Sequence, residues 1–219
     1  MLNQQLISPL ITALQPGQTV EQALLQMEDQ EVAHLPLVKN GKLEALIAEA
    51  DLLDANSNDT LESLFQYSPI IAVAAEQHFL TAVASLVGRQ LTVVPVVTGQ
   101  YEYIGCITAQ QLLQYLAQMI GANSGGALLV VEMEPHQFSI SELSKLIETN
   151  DAHITQLNTA VHPETGMLLV TIRINKNEVS DIVATLQRYD YHLVFYAGEE
   201  HYENELRQNY QHLMNFLTM

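Results

Sequence analysis

Histidine and cysteine are the residue types in this sequence that could bind a metal ion or attack a substrate. The histidines show no i, i+4 pairing and no cysteine partner; they are His34, His78, His136, His153, His162, His192, His201 and His212. Zinc sites need several such ligands held together, so this pattern argues against a metal site. Cys106 is the single cysteine and lies in an apolar segment, which favours a small core residue over a nucleophile.

Catalytic sequence motifs are absent. The sequence contains no Gly-x-Ser-x-Gly elbow, no P-loop and no dinucleotide-binding fingerprint. His201 lies among Glu199, Glu200 and Glu203 and could bind a cation, but an acidic, solvated run is the more ordinary interpretation. An enzyme with an unrecognised site is therefore the weakest of three functional hypotheses.

Composition restricts the classes of partner. The 219 residues are 48% hydrophobic, enough for a proper core, and carry a formal charge of −17. Such an acidic surface repels phosphate backbones, so we expect no nucleic-acid partner and no binding to anionic membranes. No apolar run approaches the length of a membrane span, and the N-terminus lacks a secretion-signal pattern. With one cysteine, the expected location is the reducing cytoplasm.

A tandem repeat of about 60 residues organises the first half of the chain. His34 to Leu53 and Val93 to Leu113 share one order: an apolar run with a proline, a polar turn with a glycine, a second apolar run and a helix start. Pro95 follows Pro36 by 59 positions, whereas Leu112-Leu113 follow Leu52-Leu53 by 60. The dipeptide Ser8-Pro9 recurs as Ser68-Pro69.

Each copy is predicted to fold as β-α-β-β-α. In the first copy Thr19 can N-cap a helix, and Asn40-Gly41 predicts a hairpin turn. The expected elements of the first copy are an extended segment 10–14, a helix from Val20, strands 35–38 and 43–48 and a helix 50–54. Those of the second copy are an extended segment 70–74, a helix from Leu80, strands 93–97 and 103–107 and a helix 109–120.

A glycine-rich linker at 121–126 precedes a different pattern. Residues 127–198 predict the order β-α-β-β-α-β of a ferredoxin-like fold. Ser139 and Glu142 fit a capping box at the start of its first helix, which should bury Ile140, Leu143, Ile147 and, as a fourth candidate, Leu146. The tail, 199–219, predicts a helix that docks on its own chain or, as we favour, on another subunit; its apolar stripe comprises Tyr202, Leu206, Leu213, Phe216 and Leu217.

These patterns resemble known regulatory domains. Residues 1–120 look like a pair of cystathionine-β-synthase (CBS) domains, with copies 1–60 and 61–120. The features are the Ser-Pro-hydrophobic start, the proline-bearing strand and the closing hydrophobic-x-[Ser/Thr]-x-x-Asp before a helix. By element order, 127–198 is similar to an ACT-type domain, although the family's Pro-Gly appears here as Pro135-His136. The combination resembles acetoin-utilisation-type regulatory proteins and implies a mixed αβ (α+β) fold.

The resemblance implies adenine-nucleotide clefts between the two copies. In the family, the closing Asp holds ribose hydroxyls and the Ser or Thr before it helps hold phosphate. The first copy reads Ala48-Glu49-Ala50-Asp51 and keeps only the carboxylate; the second reads Thr108-Ala109-Gln110-Gln111 and keeps only the hydroxyl. Gln111 could still bond a ribose. Asp51 and Thr108 could equally serve only as helix N-terminal residues.

Three further residues complete the expected site and its alternatives. Thr12 lies where family members often contact the base, although a plain surface threonine is the simpler explanation. Arg89 could reach a cleft or complement the C-terminus of its own helix. Glu134 and His136 border the loop at which ACT-type folds receive ligand, or they are exposed loop residues.

Two functional hypotheses lead. The first is a non-enzymatic regulatory homodimer that requires no cofactor or metal and senses AMP, ATP or S-adenosylmethionine in the CBS clefts, or a ligand at an ACT interface. The second is a structural or interaction homodimer whose clefts are vestigial. The sequence identifies neither the ligand nor the regulated partner.

Overall fold

The structure, a computed structural model, describes residues 1–65 and 69–198. The chain divides into two compact units, Met1–Ala117 and Gln118–Met219. The predicted tail helix and the cation-binding alternative at His201 lie outside the described residues, as does Ser68. Among the described helices, none combines the length and the hydropathy required to cross a bilayer.

In the first copy and the residues directly after it, three α-helices, two of them only four residues long, accompany a two-stranded hairpin. A 3-10 helix, Asn3–Leu6, leads in. The elements that follow are α1 (Val20–Asp29), β1 (His34–Lys39), β2 (Lys42–Ala48), α2 (Glu49–Leu52) and α3 (Leu61–Leu64). The predicted first strand contributes only a parallel bridge between Leu14 and Leu37. Helix α2 is shorter than predicted, and α3 was not predicted.

The second copy forms a three-stranded sheet in the order β3-β4-β5. Its elements are β3 (Val73–Ala74), α4 (Leu80–Arg89), β4 (Val93–Val97), β5 (Tyr103–Thr108) and α5 (Ala109–Met119). Strand β3 runs parallel to β4 and pairs Val73 with Val96. This pair corresponds to Leu14 and Leu37 of the first copy, because both residues are displaced by 59 positions.

The two hairpins share one irregularity and differ in their loops, and the loop difference explains the unequal spacing of the repeat. In the first copy the register shifts between Leu37 and Val38, and in the second it shifts between Val96 and Val97. Both shifts leave one extra residue on the second strand of the hairpin, as in a β-bulge. Only the loop between the strands differs in length, so β1 and β4 are related by 59 positions and β2 and β5 by 60.

Local chemistry accounts for the element boundaries. Thr19 Oγ1 accepts from the Gln22 amide at 3.3 Å, and Gln22 Oε1 accepts from the Thr19 amide at 3.0 Å, which confirms the predicted N-cap. Asn40 and Gly41 both have positive φ, as a two-residue hairpin turn requires, so that prediction is also confirmed.

The repeated leucine pairs divide between the core and the surface in the same way in both copies. Leu52 and Leu112 are 1% and 2% exposed. Their neighbours Leu53 and Leu113 are 70% and 67% exposed. Consecutive residues of a helix point in different directions, so one member of each pair closes the core and the other faces outward.

The second unit has the predicted βαββαβ order. Its elements are β6 (Leu128–Met133), α6 (Ile140–Glu148), β7 (Ile154–Val161), β8 (Leu168–Ile174), α7 (Ser180–Arg188) and β9 (His192–Ala197). The strands form one antiparallel sheet in the order β7-β8-β6-β9, which is the ferredoxin-like arrangement. Inward residues of β6 and β8 alternate with less buried ones, and both helices contribute to the core.

Two predictions about α6 need correction. Ile140 is 57% exposed, whereas Leu143, Leu146 and Ile147 are buried. Ile140 is the first helical residue, so its side chain lies before the turn that packs on the sheet. Ser139 Oγ accepts from the Glu142 amide at 3.3 Å, but Glu142 does not complete the capping box. Its carboxylate lies near Tyr191 instead, and partial burial of the phenol, together with this negative neighbour, raises the pKa of Tyr191 to about 12.

Gly105→Ala tests the close approach between the lead-in segment and β5. Gly105 has a φ of +148°, and an added Cβ would collide with Cγ2 of Ile7. We expect the free energy of unfolding to fall by roughly 2 kcal/mol, from combined strain and overpacking. Urea unfolding followed by circular dichroism measures the change. Gly99→Ala is the control, because nothing lies within 4 Å of an added Cβ there; equal stabilities of the two variants would contradict this account.

Candidate functional site

A cleft of about 620 Å³ lies between the two copies of the repeat. It joins the Ser-Pro segment of the first copy to the start of α5 in the second, and residues at the end of α1 form a third side. The lining residues are Ser8, Pro9, Leu10, Ile11, Gln30, Glu31, Val32, Thr92, Thr108, Ala109, Gln110, Gln111 and Gln114. The volume is within the usual range of small-molecule sites.

Backbone hydrogen bonds hold the two sides of the cleft in place. The Ser8 amide donates to the carbonyl of Cys106 in β5 at 2.8 Å, which fixes the Ser-Pro segment against the second copy. The Ala109 amide donates to the Thr92 carbonyl at 2.9 Å, and the corresponding Glu49 amide donates to the Ala33 carbonyl at 2.8 Å. The same connection thus orients α5 and α2, in keeping with the duplication.

Cys106 belongs to the scaffold under the cleft. Its side chain is fully buried, and burial raises the pKa of the thiol to about 12. A thiol held in its neutral form is a poor nucleophile, so the interpretation as a core residue is supported.

Thr108 and Gln111 both line the cleft, and they hydrogen-bond each other. Thr108 Oγ1 accepts from the Gln111 amide at 3.2 Å, and Gln111 Oε1 accepts from the Thr108 amide at 3.2 Å. The Thr108 hydroxyl also lies 3.3 Å from Gln111 Oε1. These contacts form a capping box at the start of α5, so a ligand would have to share or replace them.

Thr12 is tied to the end of α1. Its hydroxyl accepts from Gln26 Nε2 at 3.0 Å and from Gln30 Nε2 at 2.7 Å, while its amide donates to Gln30 Oε1 at 2.9 Å. Thr12 does not line the cleft. It hydrogen-bonds Gln30, however, and Gln30 does line the cleft. Its place is therefore behind the cleft wall.

Asp51 and Arg89 do not line this cleft. Asp51 Oδ2 accepts from the Ala48 amide at 3.2 Å at the start of α2. Arg89 is exposed at the end of α4. By the repeat spacing, Asp51 corresponds to Gln111 and Arg89 to Gln30. A cleft equivalent to this one by the repeat, which would include Asp51 and Arg89, stays a prediction, because Ser68 of its expected Ser-Pro segment lies outside the described residues.

Five lining residues lie outside every motif quoted from the sequence: Gln30, Glu31, Val32, Thr92 and Gln114. Glu31 and Gln90 correspond by 59 positions, and both adopt a positive φ, 53° and 55°, directly after their helices. Aligning the two copies through Pro36 and Pro95 would have paired these residues. Nothing in the residue types, however, indicated that the end of α1 meets the start of α5.

His34 and Thr92 connect the copies beside the cleft. His34 Nδ1 lies 3.3 Å from the Thr92 amide and 3.1 Å from Thr92 Oγ1, and the Ala33 amide donates to the same hydroxyl at 3.1 Å. Because the Thr92 amide can only donate, Nδ1 accepts, and the neutral ring carries its proton on Nε2. Partial burial lowers the pKa of His34 below 6.5, against an opposing contribution from Asp51.

The stability of the chain should depend on the protonation of His34. Since the pKa of His34 is lower in the folded state, its contribution is fully present above the unfolded value of about 6.5. It is lost as the pH falls through the folded value. We expect His34→Gln to reduce the loss of unfolding free energy between pH 7.5 and 5, measured by urea unfolding. The control is His136→Gln, which changes an exposed histidine. If the unfolding free energy of His34→Gln falls between pH 7.5 and 5 by as much as that of the wild type, this role of His34 is refuted.

Comparison with known proteins finds similarity to CBS domains in this part of the chain. The family model described as CBS domain matches residues 5–58. A crystal structure of a CBS domain pair/ACT domain protein from Thermotoga maritima is 18% identical, covers 54% of this chain and 98% of its own, and superposes with a TM-score of 0.50.

Other solved structures match at lower scores. The CBS domains of a transcriptional regulator from Streptococcus pneumoniae are 14% identical, with 52% and 98% coverage and a TM-score of 0.47. CBSX2, crystallised in complex with AMP, is 19% identical, with 53% and 96% coverage and a TM-score of 0.46. The chain thus has a mixed α/β fold with a CBS-domain match in its first copy and CBS-domain pairs among its structural neighbours.

Proposed function

We propose that this chain is a non-enzymatic regulatory protein that senses an adenine nucleotide or a related adenosyl ligand. The observation that carries the proposal is the cleft of about 620 Å³ in which the Ser-Pro segment of one copy faces the start of α5 in the other. Both sides belong to the repeat motifs, and neither copy forms the cleft alone. A ligand there would contact both copies and could bias their relative arrangement.

The chemistry of the lining suits a nucleoside. Leu10, Ile11 and Val32 offer apolar surface to a flat ring, and the side chains of Thr108 and Gln111 offer donors and acceptors. Asp51 supplies a carboxylate suited to a ribose diol in the equivalent cleft, with Arg89 as the cation for a phosphate. AMP, ATP and S-adenosylmethionine are the candidate ligands.

The proposed assembly is a homodimer. Leu25 on α1, Leu53 at the end of α2 and Leu113 on α5 are exposed and would be covered by a second copy. The second unit would act as an ACT-type domain, whose ferredoxin-like sheet could receive an amino acid. The proposed location is the cytoplasm, in keeping with a single buried cysteine that forms no disulfide.

A structural or interaction homodimer with vestigial clefts is the second candidate. Its supporting observation is that Thr108 and Gln111 already satisfy each other as a capping box. Residues that serve only as a helix cap would show this geometry without any ligand.

Isothermal titration calorimetry with AMP, ATP, S-adenosylmethionine and amino acids separates these candidates. We expect at least one adenosyl ligand to bind, and its affinity to fall about tenfold in Thr108→Ala or Asp51→Ala, according to the cleft occupied. The loss reflects a missing hydroxyl or carboxylate contact. No binding across the panel, with the dimer intact by light scattering, would favour the scaffold.

Thr19→Ala is the matched control for Thr108→Ala. Thr19 forms the same capping box with Gln22 at the start of α1 and does not line the cleft. Both substitutions should cost about 1 kcal/mol of stability through the lost cap. A ligand affinity that falls equally in both variants would attribute the effect to stability, and the cleft would lose its support.

A further inference from the structure

We propose that the cleft lined by Thr108 and Gln111 selects a nucleoside-type ligand without net negative charge, and that Glu31 is the residue that sets this selection. The inference rests on the proposed function and specifies its ligand: a neutral or cationic adenosyl compound in place of a nucleotide phosphate. The residues that carry it are Glu31, Gln110 and Gln114, which the sequence motifs did not single out.

The charge inventory of the cleft excludes a phosphate clamp. Of the thirteen described residues that line it, Glu31 alone carries a charge, and it is negative. Phosphate sites in proteins ordinarily supply an arginine or lysine. Residues 1–117 contain three lysine or arginine residues in all, and Lys39 is ion-paired with Glu62 at 2.6 Å. Lys42 lies on the β1–β2 hairpin, and Arg89 ends α4.

The helix start that borders the cleft is also poorly prepared for an anion. Helix N-termini attract anions through free first-turn amides. Here the Ala109 amide donates to the Thr92 carbonyl and the Gln111 amide to Thr108 Oγ1. Within the described part of the chain, Gln110 supplies the remaining first-turn amide. One free amide, in a cleft that also contains the Glu31 carboxylate, does not compensate the charge of a phosphate.

In place of cationic groups for a phosphate, the cleft offers uncharged hydrogen-bonding groups. Gln110 and Gln114 lie one turn apart on α5, and both side chains are exposed at the cleft without a hydrogen bond to any described residue. A primary amide both donates and accepts, so the two side chains can pair with hydroxyls and ring nitrogens. The free Glu31 carboxylate can accept from a ribose hydroxyl or pair with a cationic substituent.

The repeat provides a safe substitution for the test. Gln90 corresponds to Glu31 and adopts φ 55°, close to the 53° of Glu31. Glutamine therefore fits this left-handed position, and Glu31→Gln should remove the charge without altering the backbone. Glu28→Gln is the matched control, because Glu28 precedes Glu31 by one turn and does not line this cleft.

Methyl NMR titrations of the full chain provide the experiment, because the methyl groups of Leu10 and Ile11 report on this cleft itself. The probes are adenosine, AMP without magnesium, and 5′-amino-5′-deoxyadenosine, which differ in the charge at one position. We expect the amine and adenosine to bind at least about tenfold more tightly than AMP. Glu31→Gln should reduce this ratio of affinities by about fivefold or more, and Glu28→Gln should leave the ratio unchanged.

The outcomes distinguish the two levels of the proposal. If AMP perturbs the Leu10 and Ile11 methyl groups with an affinity equal to or greater than that of adenosine, charge selection is refuted and the ligand-sensing function stands. If adenosine and the amine bind more tightly than AMP and this preference is unchanged in Glu31→Gln, the assignment of charge selection to Glu31 is overturned. If none of the three compounds perturbs these methyl groups, the sensing function of this cleft fails, and the inference fails with it.

Discussion

Mutual burial between the two copies of the repeat is the constraint on which the first unit depends. Val93 and Cys106, both from the second copy, lie in the apolar cluster of the first copy, and Leu6 lies in the cluster of the second. Leu46 packs against both clusters. Each buried side chain of this size contributes on the order of 1.5–3 kcal/mol by removal from water. Separation of the copies would expose both clusters, so the cleft exists only because the copies fold together.

The polar groups that the cleft can offer a ligand are those that do not already hydrogen-bond within the protein. A hydrogen bond within the second copy occupies the Ala109 amide, and contacts with Ala33 and His34 of the first copy occupy the Thr92 hydroxyl. The capping box occupies Thr108 and Gln111. The polar groups that remain for a ligand are mainly glutamine amides and one carboxylate. The repeat predicts a second, equivalent cleft in which the two copies exchange roles. Its chemistry would differ from that of the first cleft wherever the copies have diverged, as they have at Gln30 and Arg89.

In the second unit a tertiary contact overrides a local motif, the capping box predicted for Ser139 and Glu142. The contact is with Tyr191. The sequence motif predicts that Glu142 returns to the Ser139 amide, which is a bond within four residues. In the fold, β9 brings Tyr191 to the start of α6, and a partly buried phenol offers the carboxylate a better-shielded partner. The helix still begins where the serine predicts, because one half of the cap is sufficient to define it.

Sequence alone determined the duplication, the order of elements and the hairpin turn, because each depends on local periodicity or on residues such as Asn40-Gly41 with strong backbone preferences. It also identified Thr108 and Gln111, which a resemblance placed at a helix start. The tertiary structure decided which residues share the cleft. Glu31 and Gln114 are 83 positions apart, and such a contact depends on how two half-buried sheets cover each other, which no local pattern encodes. The exposure of Ile140 and the formation of α3 were likewise set by packing, where propensity is a weak guide.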